Sequence, residues 1–562
     1  MLLLLGYLLE YTMKTWKVIH PQSVKNEKLD SKIVLSILLE NRKIESSDVP
    51  IFLKPQLKDI TLKSSDISAK EYEIFKKRID KAIAKSETIV IYGDYDVDGI
   101  CAAAILWETI YSKTKKVIPY IPDRADEGYG LSIKGIDNIL AKNPETKLII
   151  TVDNGIVAYS AVDYANTKGI DVVVTDHHVA EKKKPASVAT IHTTSLCGAG
   201  IAWVLSKELA FETKEVIHEK LSLACLATVA DLVPLAGNNR AIVSHGLKLL
   251  QSTKRVGIKA LLREASIEEN TVSTYTIGHV IAPRLNATGR IQSAMNALRL
   301  LCTKDKEKAH TLSQMLAGVN KDRQDMTEES VSHAKLLAVQ NLYSERIIIV
   351  QSNNYNAGVV GLIASRLVES SYKPAFAISV GEEISKGSAR SVAGVNIIEL
   401  LRSIGHTLVE AGGHPMAAGF SVETSRLEEF SKALAKASED VVTDDLLNRI
   451  LKIDMVIPLS LITVKFIDEI GVLEPYGMGN PQPTFASYNV EIVEIRKIGK
   501  AQNHLKMKIR EDQKIIDAVA FNFADKSDVV IGDKIDIAYT VDVNEWNGKI
   551  TPQLKIKDMV IH

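Results

Sequence analysis

Residues 89–99 read Ile89-Val90-Ile91-Tyr92-Gly93-Asp94-Tyr95-Asp96-Val97-Asp98-Gly99, an apolar run that leads into three alternating acids. The run predicts a buried strand, and side chains two positions apart on an extended chain point to the same side. Asp94, Asp96 and Asp98 are therefore expected to project together. Because like charges this close repel, the motif favours a divalent cation, which prefers carboxylate oxygens. Taken alone, the motif is explained equally well by a solvated acidic turn.

Apolar strands and helices alternate after this stretch. Strands are predicted at Lys147–Val152 and Asp171–Thr175, with a helix at Val157–Thr167 between them. Strands that are apolar along their whole length indicate a parallel sheet covered by helices on both faces. The sequence therefore predicts an α/β fold, in which sites form beyond the carboxyl ends of the strands.

Polar residues fall at those strand ends. Asp153-Asn154-Gly155 follows the second strand, Asp176-His177-His178 follows the third, and Asp231 follows the apolar helical run Leu221–Ala230. Each alone is explained as a turn or cap residue. Together they indicate a metal centre, and a set rich in oxygen and lacking thiolate suits manganese or magnesium better than structural zinc. So many ligands favour two ions, an arrangement that attacks phosphorus.

Length and composition limit the classes of protein to which this chain can belong. A chain of 562 residues predicts about three or four domains. Its 69 basic and 69 acidic side chains cancel, so any contact with nucleic acid must come from a local groove. The four cysteines show no C-x-x-C spacing, which argues against a zinc site or a disulfide framework and predicts a cytoplasmic protein. The apolar run 1–9 is too short to span a bilayer, no membrane association is expected, and we expect translation to start at Met13.

Four motifs in order carry a family resemblance. The series Gly93–Gly99, Val152–Gly155, Thr175–His178 and Ala230–Leu235 resembles the DHH phosphoesterase superfamily in order and spacing. Later segments are similar to its RecJ family of single-strand-specific exonucleases, and the similarity covers roughly residues 70 to 562. These segments are Pro283-Arg284-Leu285-Asn286-Ala287-Thr288-Gly289-Arg290, Gly358–Arg366, Ser388-Ala389-Arg390-Ser391 and Gly412–Gly419.

The resemblance implies a two-metal centre. The implied ligands of two divalent cations, Mn²⁺ or Mg²⁺, are Asp96, Asp98, Asp153, His177 and Asp231, with Asp153 bridging. His178 joins them in the catalytic set and would face the scissile phosphate as a charge stabiliser or proton donor. Asp94 would lie next to the metal ligands without binding a metal itself. Many DHH proteins carry a histidine where this chain has Tyr92, so we expect one ion to bind more weakly.

The resemblance also implies a set of residues that bind phosphate. Arg124, Ser388 and Arg390 would hold the terminal 5′ phosphate, and arginine forks pair with phosphate oxygens at two points. Taken singly, each arginine is explained as a surface ion pair. Asn286 and Arg290 would contact substrate phosphates beside the metals, whereas Arg284 is assigned either to substrate or to structure. Gly413 and His414 would form an anion nest. We expect Ser388 and Arg390 in a flexible segment and Gly412–His414 in a turn.

The expected domain order follows from these segments. It is an N-terminal extension (1–70), a DHH domain (71–300), a connecting helix (301–340), a smaller DHH-associated α/β domain (341–445) and an OB-type barrel (446–562). Five alternating runs after residue 489 and the hairpin signal Asn547-Gly548 predict the barrel. Its aromatic residues Tyr488, Phe521, Phe523 and Trp546 either stack on bases or fill the core.

The resemblance implies a metal-dependent exonuclease that degrades single-stranded DNA 5′ to 3′ to 5′-mononucleotides in recombination and repair. Single-stranded DNA is the expected partner, a helicase and a single-strand-binding protein are candidate partners, and a monomer is expected. Two alternatives stay open. One is a DHH phosphodiesterase of short oligoribonucleotides or cyclic dinucleotides, and the other is a catalytically silent replication scaffold.

Overall fold

The computed structural model describes residues 14–20, 29–124, 126–340, 343–524 and 528–562. The expected start at Met13 and the side chain of Trp546 lie outside the described part. The chain divides into two compact units. The parallel-sheet unit comprises Ile44–Asp322 and Leu473–Gln482, and the barrel unit comprises the described residues through Lys43, Arg323–Val472 and Pro483–His562.

The strands follow in chain order. They are β1 (Thr15–Val18), β2 (Thr88–Tyr92), β3 (Val117–Tyr120), β4 (Thr146–Val152), β5 (Asp171–Asp176), β6 (Ala189–His192), β7 (Ile348–Ser352), β8 (Ala375–Ser379), β9 (Ile384–Arg390), β10 (Glu410–His414), β11 (Ala417–Glu423), β12 (Ile450–Ile453), β13 (Met455–Val456), β14 (Phe485–Ile498), β15 (His504–Glu511), β16 (Lys514–Ala520), β17 (Lys534–Trp546) and β18 (Lys549–Ile561).

The α-helices are α1 (Ser31–Asn41), α2 (Val49–Leu53), α3 (Ala69–Ala84), α4 (Val97–Tyr111), α5 (Ile133–Lys142), α6 (Tyr159–Thr167), α7 (Gly198–Leu209), α8 (Lys214–Ala230), α9 (Gly237–Leu250), α10 (Val256–Glu264), α11 (Thr274–Thr276), α12 (Ala282–Ile291), α13 (Met295–Cys302), α14 (Lys306–Val339), α15 (Val360–Ser371), α16 (Ile397–Ser403), α17 (Leu427–Val441), α18 (Asp444–Leu447) and α19 (Val464–Ile470). No helix in the described part is both long and apolar enough to cross a membrane.

The parallel-sheet unit is built on five parallel strands in the order β3-β2-β4-β5-β6. All five residues of β2 are buried, and its side chains alternate between two cores. One core contains Ile89 and Ile91 with helices α4, α7 and α8, and the other contains Val90 and Tyr92 with helices α5 and α6. The predicted parallel sheet with both faces covered is confirmed, because strands apolar on both sides need two layers of helices.

The barrel unit contains a mixed sheet and a closed barrel. The mixed sheet has the order β10-β11-β9-β8-β7, in which β7 and β8 are the parallel pair. The barrel runs β13-β14-β15-β16-β18-β17 and closes through pairing of β14 with β17. The predicted OB-type barrel is confirmed. Asn547 and Gly548 have φ angles of 50° and 73°, as the turn of the predicted hairpin requires.

Two local expectations are wrong. Ser388 and Arg390 lie within β9, which pairs with β8 and β11, and are not in a flexible segment. Gly412–His414 lie in β10 and pair with β11, so the turn of this hairpin is at 415–416. Glycine lowers strand propensity, but here the ladder of backbone hydrogen bonds to neighbouring strands outweighs that local preference.

The N-terminal segment joins the barrel unit. β1 pairs in parallel with β12, and the indole of Trp16 donates a hydrogen bond of 2.8 Å to Asp558. The ring of Tyr488 stacks on Trp16 at 6.4 Å, and Phe523 is buried, whereas Phe521 is exposed. Of the described aromatic candidates for base stacking, Phe521 and Tyr488 are therefore both exposed, at 52% and 46%, and His504 meets the ring of Phe521 edge-on at 5.3 Å.

Candidate metal centre

The carboxyl ends of the parallel strands bring the predicted ligands together. Asp153 follows β4, His177 follows β5, and Asp231 ends α8. Nε2 of His177 lies 3.0 Å from Asp153 Oδ1, 3.6 Å from Asp98 Oδ2 and 3.7 Å from Asp231 Oδ2. These residues are far apart in the sequence and would not meet without the sheet, so the fold itself assembles this cluster.

Helix N-termini hold the first motif. Asp96 caps α4, where its Oδ1 accepts a hydrogen bond of 3.0 Å from the N–H of Gly99. The buried carboxylate of Asp98 accepts hydrogen bonds of 2.6 and 2.7 Å from the N–H groups of Gly198 and Ala199, which open α7. These two donors at the N-terminus of α7 fix the position and orientation of the Asp98 side chain.

The backbone at Asp153 is unusual. Its φ of 65° lies in the left-handed region, and its N–H donates to the carbonyl of Thr175 at 3.0 Å. A Cβ atom at Gly198 would lie 2.6 Å from Cβ of Asp153, closer than van der Waals contact allows. A residue without a side chain is therefore required at position 198 for Asp153 to occupy its place.

The chemistry of the donor set fits divalent metal. Asp94 Oδ1, Asp153 Oδ1 and His177 Nε2 are buried and have no hydrogen-bond partner among the described residues. Burying an acceptor without a partner is costly, and a cation bound by Asp153 Oδ1 and His177 Nε2 would satisfy those two atoms. Ligand atoms lie within 4.8 Å of one another in the sets Asp98, His177, Asp231; Asp94, Asp96, Asp153; and Asp153, His177, His178.

Burial also controls protonation in this cluster. It raises the pKa of Asp94, Asp96 and Asp153, and neighbouring carboxylates raise it further. Burial and Asp98 raise the pKa of Asp231 to about 8. Burial lowers the pKa of His177, which keeps its imidazole neutral, the form that binds a metal. Without cations the cluster would hold protons, so metal binding must release them.

His178 is held by a separate hydrogen-bond network, although one of its ring nitrogens lies within 4.8 Å of ligand atoms of Asp153 and His177. Its Nδ1 lies 2.8 Å from Asp176 Oδ1, and its Nε2 lies 3.1 Å from the hydroxyl of Tyr129. Burial alone would lower the pKa of His178, but the hydrogen bond and charge of Asp176, followed by the charges of Asp231 and Asp94, raise it to about 9. His178 is therefore an imidazolium at neutral pH.

Sequence reasoning did not assign roles to two residues of this network. Asp176 accepts the backbone N–H groups of His177 and His178 through Oδ1 and that of Ile156 through Oδ2. Tyr129 is half exposed, and its ring meets His178 edge-on at 5.9 Å. The position of Asp176 inside the Thr175–His178 motif was the available signal, whereas nothing in the sequence pointed from Tyr129 to His178.

Tyr92 does not replace the missing histidine as a ligand. Its side chain is fully buried, its hydroxyl donates to the carbonyl of Gly130 at 3.0 Å, and its ring stacks on Tyr120 at 5.2 Å. The hydroxyl is thus committed to the loop after β3.

Residues from α12 and the β3–α5 loop border the cluster. Asn286 Oδ1 accepts a 2.9 Å hydrogen bond from the N–H of Val97, which fixes α12 against the first motif. The guanidinium of Arg124 lies 5.3 Å from the ring of Tyr95, and Arg290 is close enough for its charge to act on the same phenol. Arg284 instead binds Glu264 at 2.9 Å and the carbonyl of Val280 at 3.0 Å, which favours the structural reading of this arginine.

The barrel unit carries Ser388, Arg390 and His414 on one face of its mixed sheet, and Gly413 lies in the alternate cross-strand row. Arg390 pairs across Ala417 with His414, and Ser388 pairs across Gly419 with Gly412. The guanidinium of Arg390 donates to Ser388 Oγ at 2.9 Å. A Cβ atom at Gly412 or Gly419 would meet nothing within 4 Å, so the sheet surface between these polar groups is open.

Two glycines shape this open face. Gly413 has a φ of 145°, and a Cβ atom there would lie 2.4 Å from the carbonyl oxygen of Ala417. At Gly361 a Cβ atom would lie 3.0 Å from Arg390 Nη2 and 3.2 Å from Ser388 Oγ. The N-terminal turn of α15 therefore approaches Arg390 and Ser388 closely, which adds the positive end of a helix to the guanidinium and hydroxyl.

Comparison with known proteins agrees with these features. Family models match the N-terminal domain of the DHH family at residues 88–229, the DHHA1 domain at 344–440 and the RecJ OB domain at 453–558. The single-stranded-DNA-specific exonuclease RecJ of Bacillus subtilis is 36% identical over 86% of this chain and 62% of its own length. This chain thus spans less than two thirds of that relative. The protein of the same name from Dickeya dadantii is 32% identical over 85% of this chain and 88% of its own length.

A solved structure shares the whole fold. The crystal structure of RecJ in complex with Mn²⁺ from Thermus thermophilus superposes with a TM-score of 0.81 and 26% identity, covering 98% of this chain and 80% of that one. A divalent cation therefore binds a protein of this fold, and the donor set described above fits one. From its domain matches and its identity to relatives over most of their length, this chain belongs to the RecJ family of single-stranded-DNA-specific exonucleases.

Proposed function

We propose that this chain is a metal-dependent exonuclease that hydrolyses single-stranded DNA 5′ to 3′ to 5′-mononucleotides, and that it serves DNA recombination and repair. One observation carries the proposal: the buried, unpartnered ligand atoms Asp153 Oδ1 and His177 Nε2 lie 3.0 Å apart at the strand ends of a DHH domain. The relatives' names supply the substrate class, and the RecJ OB domain match favours a strand over a small cyclic dinucleotide.

We assign the metal to Asp96, Asp98, Asp153, His177 and Asp231, with Asp153 shared between two ions and Asp94 behind them. Divalent cations bound there supply Lewis-acid stabilisation of phosphoryl oxygens and lower the pKa of water. Because Tyr92 is committed to Gly130, we expect two ions of unequal affinity. Titration with manganese tests this, and two equally tight ions would contradict it.

His178 is assigned the proton transfer. The bond to break joins phosphorus to the 3′ oxygen of the terminal nucleotide, and that oxygen needs a proton as it leaves. His178 holds one at neutral pH because Asp176 raises its pKa to about 9. Asp176 and Tyr129 fix the ring by hydrogen bonds to its two nitrogens. The remaining strand keeps a 5′ phosphate, which prepares it for the next cycle.

Recognition of that phosphate is assigned to Arg124, Ser388 and Arg390, with His414 in the same cross-strand row as Arg390 and Gly413 next to it. Asn286 and Arg290 are assigned to substrate phosphates beside the metals. A guanidinium and a hydroxyl 2.9 Å apart, next to the N-terminus of α15, offer three kinds of donor to one phosphate. A guanidinium that pairs with this phosphate would make the rate of hydrolysis depend on whether the 5′ end carries a phosphate.

End-labelled strands test the proposal. With manganese or magnesium, a 5′-labelled single strand should release labelled mononucleotide at once, and a 3′-labelled strand should shorten progressively. Strands with a 5′ phosphate should be preferred, and Arg390→Gln should remove that preference while Arg366→Gln, an exposed arginine of α15, should not. Release of label first from the 3′ end would refute the assigned polarity, and absence of DNA hydrolysis would refute the function.

A further inference from the structure

A groove of about 600 Å³ lies between α10 and α14 in the parallel-sheet unit, outside the metal centre. Its lining contains the cations Lys259 and Arg263 from α10 and Lys306 from α14, together with His310 and one carboxylate, Glu264. On α14 the lining side chains recur every four residues to Gln314, so the groove follows the helix for about 12 Å. Its volume is in the range of ligand sites, and its form is linear.

The charge of this groove is not neutralised by the protein. The carboxylate in its lining, Glu264, is already bound to Arg284 at 2.9 Å. Lys259 has an exposed partner in Glu269 at 3.4 Å, whereas Arg263 and Lys306 have no carboxylate within ion-pair distance in the described part of the chain. Lys306 also opens α14, where the helix dipole disfavours a cation. An anion in the groove would pair with Arg263 and Lys306 and would also interact favourably with the N-terminus of α14.

Helix α12 separates the groove from the metal centre. Arg284 contacts the groove residue Glu264, whereas Asn286, two residues later, contacts Val97 of the first metal motif. Residues two apart on an α-helix point about 200° apart, so they lie on opposite sides of it. The groove is therefore a site of its own.

The lining indicates what it holds. The aliphatic lining residues are Val256 and Ala260, which are small. Hot spots of protein-docking sites are enriched in Trp and Tyr, and neither residue type lines this groove in the described part of the chain. Cations spaced along an open groove suit a linear polyanion, in which each unit carries one negative charge.

We propose that the α10–α14 groove binds the phosphate backbone of the single-stranded DNA substrate, as a contact additional to the metal centre. This rests on the proposed function for the identity of the strand. Because total protein charge is zero, a local groove of this kind is what would draw a strand to this unit. Contacts here would add affinity for strands long enough to reach the groove and none for very short ones.

Strand binding measured in the full-length protein without added metal tests the groove separately from hydrolysis. The variant Arg263→Gln/Lys306→Gln removes two unpaired charges, and Lys77→Gln/Lys81→Gln on exposed positions of α3 is the matched control. For a strand of about 30 nucleotides we expect weaker binding and a salt dependence, log Kd against log salt, that is shallower by about 1.4. A strand of about 5 nucleotides should bind both variants alike. Lys306→Gln alone should show about half the change in slope.

Unchanged affinity and slope relative to the control would overturn the groove proposal, as would equal loss for short and long strands. Binding of an acidic peptide at the groove with no effect on strand affinity would also overturn it. Failure of the parent protein to hydrolyse DNA with manganese would refute the proposed function. Because strand binding is measured without hydrolysis, the two failures are distinguishable.

Discussion

Nε2 of His177 lies 3.0 Å from Oδ1 of Asp153, and neither atom has a hydrogen-bond partner among the described residues. One residue follows β5 and the other follows the adjacent β4, so the neighbouring strands of the sheet fix their separation. Two buried ligand atoms held together in this way are unfavourable unless a cation joins them. The fit of this pair of atoms to a divalent cation is therefore set by the fold as well as by the chemistry of the two side chains.

Asp153→Asn should abolish hydrolysis while leaving strand binding nearly unchanged. The amide keeps the volume of the side chain but removes the negative charge that two ions would share, and we expect a loss of at least about 10³-fold in kcat. Single-turnover hydrolysis and strand binding without metal measure the two effects. Asp163→Asn on the exposed face of α6 is the control. Turnover near the parent rate would reject the assigned centre.

Removal of metal should make stability depend on pH through Asp231. The pKa of this carboxyl is about 8 in the folded protein, above its unfolded value, so the folded state binds more protons between the two values. The stability that this carboxyl adds to the folded state is fully present below its unfolded pKa and is lost as the pH rises towards 8. Urea unfolding in chelator should show the free energy of unfolding of the parent falling relative to Asp231→Asn, by up to about 1.4 kcal/mol per pH unit. If the difference in free energy of unfolding between the parent and Asp231→Asn stayed constant with pH, or grew in favour of the parent, the raised pKa of Asp231 would be contradicted.

His178→Gln should lower kcat by about 10²–10⁴-fold and remove an alkaline limb from the pH profile. His178 donates its proton only while charged, so parent activity should fall as pH rises through about 9. Asp176→Asn should move the limb to lower pH because it removes the main group that raises this pKa. His218→Gln, at an exposed position of α8, should leave the profile unchanged. An identical alkaline limb in His178→Gln would exclude this residue as the proton donor.

Gly198→Ala should weaken metal binding without unfolding the protein. Its Cβ would press on Cβ of Asp153 at 2.6 Å and shift the carboxylate, and we expect a loss in manganese affinity of about 10–100-fold. Gly278→Ala, where a Cβ would meet nothing within 4 Å, should bind manganese normally. Calorimetric titration compares the two. Equal affinities would show that position 198 does not control Asp153.

Much of the fold was accessible from the sequence because its signals are local. The apolar run at β2 and the acids after it predict a strand and its end, and Asn547-Gly548 predicts its hairpin from turn chemistry alone. The gathering of Asp153 and His177 at one edge of the sheet also followed from the rule that sites form at strand ends, whereas the assignment of individual ligands came from the family resemblance and stays a prediction. The predictions of a flexible segment at Ser388 and Arg390 and of a turn at Gly412–His414 were wrong because both segments pair with β11. That pairing is decided by residues distant in the sequence, and it outweighs local propensity.

Other features depend on contacts that no local pattern encodes. The pairing of Trp16 with Leu451 joins segments that are distant in the sequence. The carboxylate of Asp98 is held by the first N–H groups of α7, a helix that begins much later in the chain. The roles of Gly198 and Tyr129 emerge only when Asp153 and His178 are in place beside them.

The most direct test of the metal centre is a crystal structure with manganese, located by its anomalous scattering. We expect manganese between Asp153 Oδ1 and His177 Nε2, with Asp96, Asp98 and Asp231 completing the ligands. A cluster that stays empty at saturating manganese, with its carboxylates turned apart, would contradict the account.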